Sequence, residues 1–122
     1  MSDRVAQTFD RAVTLLPRLS QLWYKYIFLE DILGNYAGAR QIWERWMDWE
    51  PDQLAWNAYI KFEVRNREID RARQIWERFI VVHPVVTVWI KYAKWEAGLG
   101  QAARARLVFE RVSLVVMPTL TV

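Results

Sequence analysis

Residues 54–80, LAWNAYIKFEVRNREIDRARQIWERFI, contain two helical hydrophobic patterns with a short break between them. The first pattern places Trp56, Tyr59 and Glu63 at i, i+3 and i+7, which is one face of a helix. After Asn66 the chain resumes with a second apolar stripe at the same helical spacing. The segment therefore predicts a pair of helices joined by a short turn.

The same helix pair occurs three times along the chain, at a constant period. Trp23, Trp56 and Trp89 mark the first position of each copy and define that period, because the two intervals between them are equal. The remaining columns are Tyr26, Tyr59 and Tyr92; Glu30, Glu63 and Glu96; Ala39-Arg40, Ala72-Arg73 and Ala105-Arg106; Trp43, Trp76 and Phe109; and Glu44-Arg45, Glu77-Arg78 and Glu110-Arg111. A repeat of roughly 20–50 residues is typical of a solenoid, in which one small unit stacks on its neighbours.

The period predicts an all-α protein, a superhelix of right-handed type built from antiparallel helix pairs. The turns between helices are short, and short connections favour antiparallel neighbours. We expect more than two-thirds helix, six or seven helices and no sheet. The predicted segments are a lone second helix at 3–17, repeats at 19–50, 52–83 and 85–117, and a tail at 118–122.

Composition excludes several other classes of protein. The chain has 122 residues, 8 of them Trp, and no Cys. Disulfides and thiolate metal sites are therefore impossible, and no apolar run is long enough to cross a membrane. His83, the single histidine, has no companions with metal-ligand spacing. We expect no catalytic, metal or cofactor site, no small-molecule substrate and no enzyme activity.

The pattern W-x-x-Y-x-x-x-E, followed by a turn and A-R-x-[IVL]-[WF]-E-R, resembles the HAT (half-a-TPR) repeat of RNA-processing proteins. Within that family the amino-acid sequence is most similar to crooked-neck-like splicing factors. The segments that carry this second resemblance are residues 10–17 (DRAVTLLP), 21–26 (QLWYKY), 32–35 (ILGN), 38–41 (GARQ) and 44–49 (ERWMDW).

The resemblance implies a nuclear protein-interaction scaffold of the spliceosome, associated with the NineTeen complex, whose partners are other splicing proteins. Family members carry many more HAT units, so it also implies that these 122 residues are a fragment. The alternative is an RNA-binding HAT module from 3′-end formation or ribosomal RNA processing. RNA contact is expected to be secondary.

The repeated columns are interpreted as architecture, because an active site normally occurs once. The predicted core is Trp23, Tyr26, Trp43, Trp56, Tyr59, Trp76, Trp89, Tyr92 and Phe109. Predicted ion pairs that fix the register join Glu30, Glu63 and Glu96 to Arg40, Arg73 and Arg106 across each helix pair. Second-helix pairs at i, i+4, such as Arg73 with Glu77, are also expected.

Residues that are not repeated are the candidates for partner contact, since Trp and Arg are enriched at binding hot spots. Trp46, Trp49 and Trp95 stand where other repeats have different residues. Net charge is +3, but residues 1–50 carry −1 and residues 51–122 carry +4. In the basic part, Arg65, Arg67 and Arg71 cluster at the second turn. They are candidates for an acidic partner or for RNA phosphates.

Overall fold

The computed structural model describes residues 2–116, with the side chains of residues 4–114. Seven α-helices make up 81% of the described residues, and none of those residues is in a strand. The helices are α1 Ser2–Leu15, α2 Ser20–Ile32, α3 Tyr36–Met47, α4 Gln53–Arg65, α5 Ile69–Val82, α6 Val86–Gly98 and α7 Ala102–Val116. The prediction of an all-α fold is confirmed. The predicted tail at 118–122 lies outside the described residues.

The turn inside each helix pair has the same backbone in all three repeats. Gly34, Arg67 and Gly100 have φ values of 74°, 62° and 77°, the left-handed region. The residue after each donates its N–H to the carbonyl five residues back, as in Glu68 N to Glu63 O at 2.8 Å. This pattern satisfies a free carbonyl at the helix end and favours glycine. Arg67 holds the same conformation at a cost of roughly 1–2 kcal/mol.

The first compact unit, residues 1–59, contains α1 to α3 and the first half of α4. Helix α2 packs against both α1 and α3. Trp23 stacks on Trp46 with ring centroids 6.0 Å apart, and Trp43 stacks on Tyr59 at 5.2 Å. The Trp23 indole N–H donates to the Pro17 carbonyl at 2.9 Å, so the tryptophan that opens repeat 1 also holds the preceding turn.

The second unit, residues 60–122, contains the rest of α4 and the described helices α5 to α7. Helix α6 packs against α5 and α7. Trp76 stacks on Tyr92 with centroids 5.4 Å apart and planes 5° apart, nearly the geometry of the Trp43–Tyr59 pair. Each of these pairs joins a second helix to the first helix that follows it in sequence.

Candidate protein-interaction surfaces

A polar cluster within the second unit joins α5, α6 and α7 around Glu77. The Tyr92 hydroxyl donates to Glu77 Oε2 at 2.7 Å, and the two terminal nitrogens of Arg111 donate to its two oxygens at 2.7 and 2.9 Å. The hydrogen bond from Arg111 lowers the pKa of Glu77, and burial followed by the bond to Glu77 raises the pKa of Tyr92. One carboxylate therefore fixes three helices.

Arg73 and Glu96 form a second, more buried contact between α5 and α6. Arg73 Nε lies 2.7 Å from Glu96 Oε2, and a terminal nitrogen lies 3.1 Å from Oε1, so the pair is bidentate. Arg73 and Glu96 are two of the predicted register residues, and the structure pairs them across the contact of α5 with α6. Arg73 lies on the face of α5 that meets the next first helix, and it also pairs with Asp70 on its own helix at 3.0 Å.

The first unit contains contacts of the same type. Tyr59 donates to Glu44 Oε2 at 2.5 Å, which is the Tyr92–Glu77 bond one repeat earlier. Arg45 of α3 lies 2.7 Å from Asp10 of α1. This ion pair corresponds to the pair of Arg111 on α7 with Glu77 on α5. Of the other predicted register residues, Glu30 accepts from the Asn35 side chain at 2.7 Å and Arg106 is exposed. The repeated charges thus link successive second helices through the intervening first helix.

The Glu77 cluster makes stability depend on acid. The lowered pKa of Glu77 in the folded chain means that its contribution is present above the ordinary carboxyl pKa and is lost as pH falls through the folded value. We expect the melting temperature to fall as the pH drops below about 5, where carboxylates begin to bind protons. Glu77→Gln should show a smaller fall over that range. Thermal melts followed by circular dichroism check this, and equal slopes for both proteins would contradict it.

The predicted core residues are buried in every case but one. Phe109 is 46% exposed, whereas Trp76 in the same column is 4% exposed. Trp43 and Trp76 are covered by Tyr59 and Tyr92, the tyrosines of the first helix that comes next in sequence.

The tryptophans proposed for partner contact have three different environments. Trp46 is buried between Trp23 and Trp43, so its assignment as a partner contact was wrong and it belongs to the core. Trp95 is half-buried, with the Arg73 guanidinium 5.8 Å from its ring. Trp49 is 42% exposed and is capped by Arg18, whose guanidinium carbon lies 5.3 Å from the ring centroid.

The arginines proposed for partner contact are all exposed. Arg65 lies over the Phe62 ring at 5.8 Å, and Arg71 lies 3.7 Å from Glu68. Arg67 occupies the left-handed turn position described above. Arg73, their neighbour in sequence, is taken up by Glu96. The basic cluster is thus open to solvent but partly neutralised by its own acids.

An exposed apolar stripe on α2 was missed from the sequence. Phe28 is 64% exposed and Ile32 is 65% exposed, one turn apart on the helix, and Tyr24 continues the row at the edge of the core. At the Phe28 column the other repeats carry Lys61 and Lys94. The signal was the change from charged to apolar within one repeat column. We call Tyr24, Phe28 and Ile32 the α2 stripe.

A groove of about 790 Å³ lies within the second unit between α5 and α7. It contains the Arg73–Glu96 and Glu77–Arg111 contacts, so its polar groups mainly satisfy one another. Among residues 2–116 there is no group of three His, Asp or Glu that could hold a metal ion. None of the described helices is long and apolar enough to span a membrane.

These features define a helical-repeat protein with an exposed apolar stripe on α2. Residues 67–97 match the HAT (Half-A-TPR) repeat. The chain therefore carries the HAT repeat, as its sequence pattern predicts. This repeat implies a TPR-like helical solenoid.

Three proteins similar to this chain are two crooked neck-like proteins and one pre-mRNA-splicing factor. The chain is 57% identical over 72 residues to crooked neck-like protein 1 of Homo sapiens, which covers 57% of this chain and 8% of that protein. It is 56% identical to the Mus musculus protein of the same name, covering 57% and 10%. It is 50% identical to pre-mRNA-splicing factor CLF1 of Yarrowia lipolytica, covering 57% and 11%. The predicted similarity is confirmed, and the matched part spans about a tenth of these relatives.

Proposed function

We propose that the chain is a protein–protein interaction scaffold of the pre-mRNA splicing machinery, acting in the nucleus with other splicing proteins as partners. A role in pre-mRNA splicing is supported by the name of the Yarrowia lipolytica relative and by an identity of 50–57% over 72 residues. Association with the NineTeen complex is the finer part of the proposal. The match covers about a tenth of each relative. The role that we propose is therefore inferred from a short segment of those proteins.

The α2 stripe is the observation that carries the scaffold role. Phe28 and Ile32 project apolar surface into solvent where repeats 2 and 3 have Lys61 and Lys94 or Arg65 and Gly98. A repeat needs no apolar side chain there, since two of three copies do without one. Large exposed apolar groups that packing does not require mark sites of protein contact.

A non-catalytic role agrees with the hydrogen bonds and ion pairs that the charged side chains make between helices. Glu77, Glu96 and Arg73 are bonded to residues of neighbouring helices at 2.7–3.1 Å. The Glu–Tyr hydrogen bond occurs once in each unit, at Glu44–Tyr59 and at Glu77–Tyr92. Duplicated contacts of this kind support a structural use for these side chains.

RNA binding is the weaker alternative. Arg65, Arg67 and Arg71 could neutralise phosphates, but Arg71 lies beside Glu68 and Arg73 is bonded to Glu96. A basic surface diluted by acids is a poor phosphate footprint. Binding through phosphates would also weaken linearly with log salt, whereas docking on the α2 stripe would not.

The proposal is tested with the full chain as an immobilised bait in nuclear extract. We expect splicing proteins to be retained after RNase treatment and in high salt. Phe28→Glu combined with Ile32→Glu should abolish that retention, because it places charge in the contact. Lys94→Glu, at the Phe28 column of repeat 3, is the matched control and should retain the same proteins.

Two results would contradict the proposal. Loss of all partners after RNase, with a steep dependence on salt, would indicate an RNA-binding module. Retention that is equal for the wild-type chain and the double variant would remove the α2 stripe as the contact. Circular dichroism of each variant shows that the helices are intact.

A further inference from the structure

The turn after α3 differs in chemistry from the other two turns that join successive repeats. Residues 48–52 read DWEPD, whereas the aligned residues 14–18 read TLLPR and residues 81–85 read VVHPV. All three turns contain the proline, so the alignment is fixed. Asp48 is a carboxylate where repeat 2 has a valine, and Trp49 is an aromatic ring where the other turns have leucine or valine. The fold of a repeat therefore does not require either side chain.

Both side chains line a groove in the first unit, which we call the Trp49 groove. Its volume is about 450 Å³, within the range of roughly 300–1,000 Å³ that is usual for binding sites. The residues that line it are Val13 and Thr14 of α1, Trp23 of α2, Arg45 of α3, Asp48 and Trp49. Val13 and Trp23 are buried, whereas Asp48 and Trp49 are exposed. The groove thus rests on packed core and opens beside a ring and a carboxylate.

A groove at this position is a feature of the repeat. The groove between α5 and α7 in the second unit is lined by Arg111 and Leu114, which align with Arg45 and Asp48. In the second unit Arg111 is taken up by Glu77, and the column of Asp48 carries no charge. The two grooves therefore share their position in the repeat but differ in the chemistry of their rims.

The uncompensated charge of the Trp49 groove is the Asp48 carboxylate. Arg45, the cation of the groove, lies 2.7 Å from Asp10. No side chain among residues 4–114 forms a hydrogen bond or ion pair with the Asp48 carboxylate. The Thr14 hydroxyl donates to the Asp10 carbonyl oxygen at 2.7 Å, so its own oxygen is available as an acceptor. The groove therefore offers acceptors to a cation.

Trp49 already binds one guanidinium. The guanidinium carbon of Arg18 lies 5.3 Å from the ring centroid, and Arg18 Nη1 donates to the Trp49 carbonyl oxygen at 2.8 Å. Arg18 lines a separate cavity of about 200 Å³, which Trp49 also borders, and it does not line the Trp49 groove. Because Trp49 borders both cavities and is exposed, part of its ring is open to a second ligand on the side of the groove.

We propose that the Trp49 groove binds an arginine side chain of another protein. The guanidinium stacks on the open part of Trp49 and donates to the Asp48 carboxylate and to Thr14 Oγ1. Arginine fits this set of groups better than lysine, because its planar guanidinium both stacks on aromatic rings and presents several donors in a fixed fork. A nucleic-acid phosphate would be repelled by Asp48. This inference goes beyond the splicing role and uses none of the residues of the α2 stripe.

The probe that tests this is a blocked tetrapeptide, acetyl-Gly-Arg-Gly-Ser-amide, added to the isotope-labelled full chain. Binding is followed in nuclear magnetic resonance spectra through the indole N–H of Trp49 and the backbone N–H of Thr14. We expect both signals to shift saturably. A peptide with citrulline, which keeps the shape of arginine but lacks its charge, should bind about tenfold more weakly, as expected for loss of a charged hydrogen bond. A lysine peptide should also bind more weakly.

Variants of the chain separate the groove from its surroundings. Trp49→Val, the residue of the same column in repeat 2, should abolish the shift of the Thr14 signal. Asp48→Asn keeps the shape of the groove and should weaken binding about tenfold. Glu50→Gln is the matched control, because it removes the same charge from the same turn but Glu50 does not line the groove. It should change the affinity by less than about twofold.

A double-mutant cycle identifies the contact with Asp48. If the arginine donates to this carboxylate, Asp48→Asn combined with the citrulline peptide should weaken binding little more than either change alone. Additive effects would show that the two groups do not meet. Circular dichroism of each variant shows that the helices are intact.

Several other outcomes overturn the inference. These are the absence of a saturable shift, a Thr14 shift that persists in Trp49→Val, and equal affinity for the arginine, lysine and citrulline peptides. Equal effects of Asp48→Asn and Glu50→Gln would indicate general attraction to an acidic turn. Shifts that appear when the chain alone is concentrated would place an arginine of a second copy in the groove. None of these results bears on retention of splicing proteins through the α2 stripe, so the two proposals fail separately.

Discussion

Trp56→Ala is expected to lower the free energy of unfolding by about 3–5 kcal/mol, the usual range for truncating a buried tryptophan. Trp56 is 1% exposed, so its removal leaves a cavity that rigid helices can fill only in part. Trp49→Ala should cost less than about 1 kcal/mol, because that ring is largely on the surface. The ring contacts Arg18 through an exposed cation–π interaction, and the hydrogen bond from Arg18 to the Trp49 carbonyl does not need the ring.

Chemical denaturation followed by far-ultraviolet circular dichroism measures both values on the full chain. The two substitutions remove the same side chain, so the comparison isolates burial from residue type. Equal losses in the two variants would contradict the assignment of the Trp23, Trp56 and Trp89 column to the core. A large loss in Trp49→Ala alone would indicate that the surface contact with Arg18 organises the loop after α3.

Periodicity was sufficient to predict the helices and most of the core, because a repeat must bury the same positions in each copy. Trp46 shows where the reasoning failed. Its column continues as Phe79 and Val112, so the residue type changes but the apolar character does not, and Phe79 is also buried. A change of residue within a column is therefore weak grounds for partner contact.

The α2 stripe shows that a change of polarity within a repeat column is the better sequence signal for partner contact. Phe28 replaces lysines of the other repeats, a change in polarity that a buried column would not tolerate. Arg67 was read as a surface charge, although the repeat period aligns it with Gly34 and Gly100. Those two glycines in the same column were a signal for the left-handed turn conformation that the structure gives all three residues.

The sequence did not predict which acidic residue pairs with each basic residue. Arg73 has acids at i−3 and i+4 and a further acid in each neighbouring first helix. Spacing alone does not separate these candidates, because the choice depends on which face of α5 meets α6. The structure assigns Arg73 to Glu96 on the following helix, and thereby defines a link between successive repeats.

That link is expected to make Arg73→Ala the most damaging single change of a charged residue in the second unit. The substitution leaves Glu96, which is 1% exposed, buried without its bidentate cation. Breaking a buried ion pair from one side costs about 3–5 kcal/mol, mostly through the carboxylate left in a site of low polarity. Arg71→Ala, two residues earlier, removes only an exposed 3.7 Å contact with Glu68 and should cost less than about 1 kcal/mol.

The same reasoning predicts a rescue. Adding Glu96→Gln to Arg73→Ala removes the buried charge, so the double variant should be more stable than Arg73→Ala alone although it lacks both ionised groups. Urea denaturation of the wild-type chain, Arg73→Ala, Glu96→Gln and the double variant measures the coupling between the two positions, with Arg71→Ala as the control. Similar losses for Arg73→Ala and Arg71→Ala, or a double variant less stable than Arg73→Ala, would show that the pair does not hold α5 to α6. Packing of Trp76 on Tyr92 would then account for that contact.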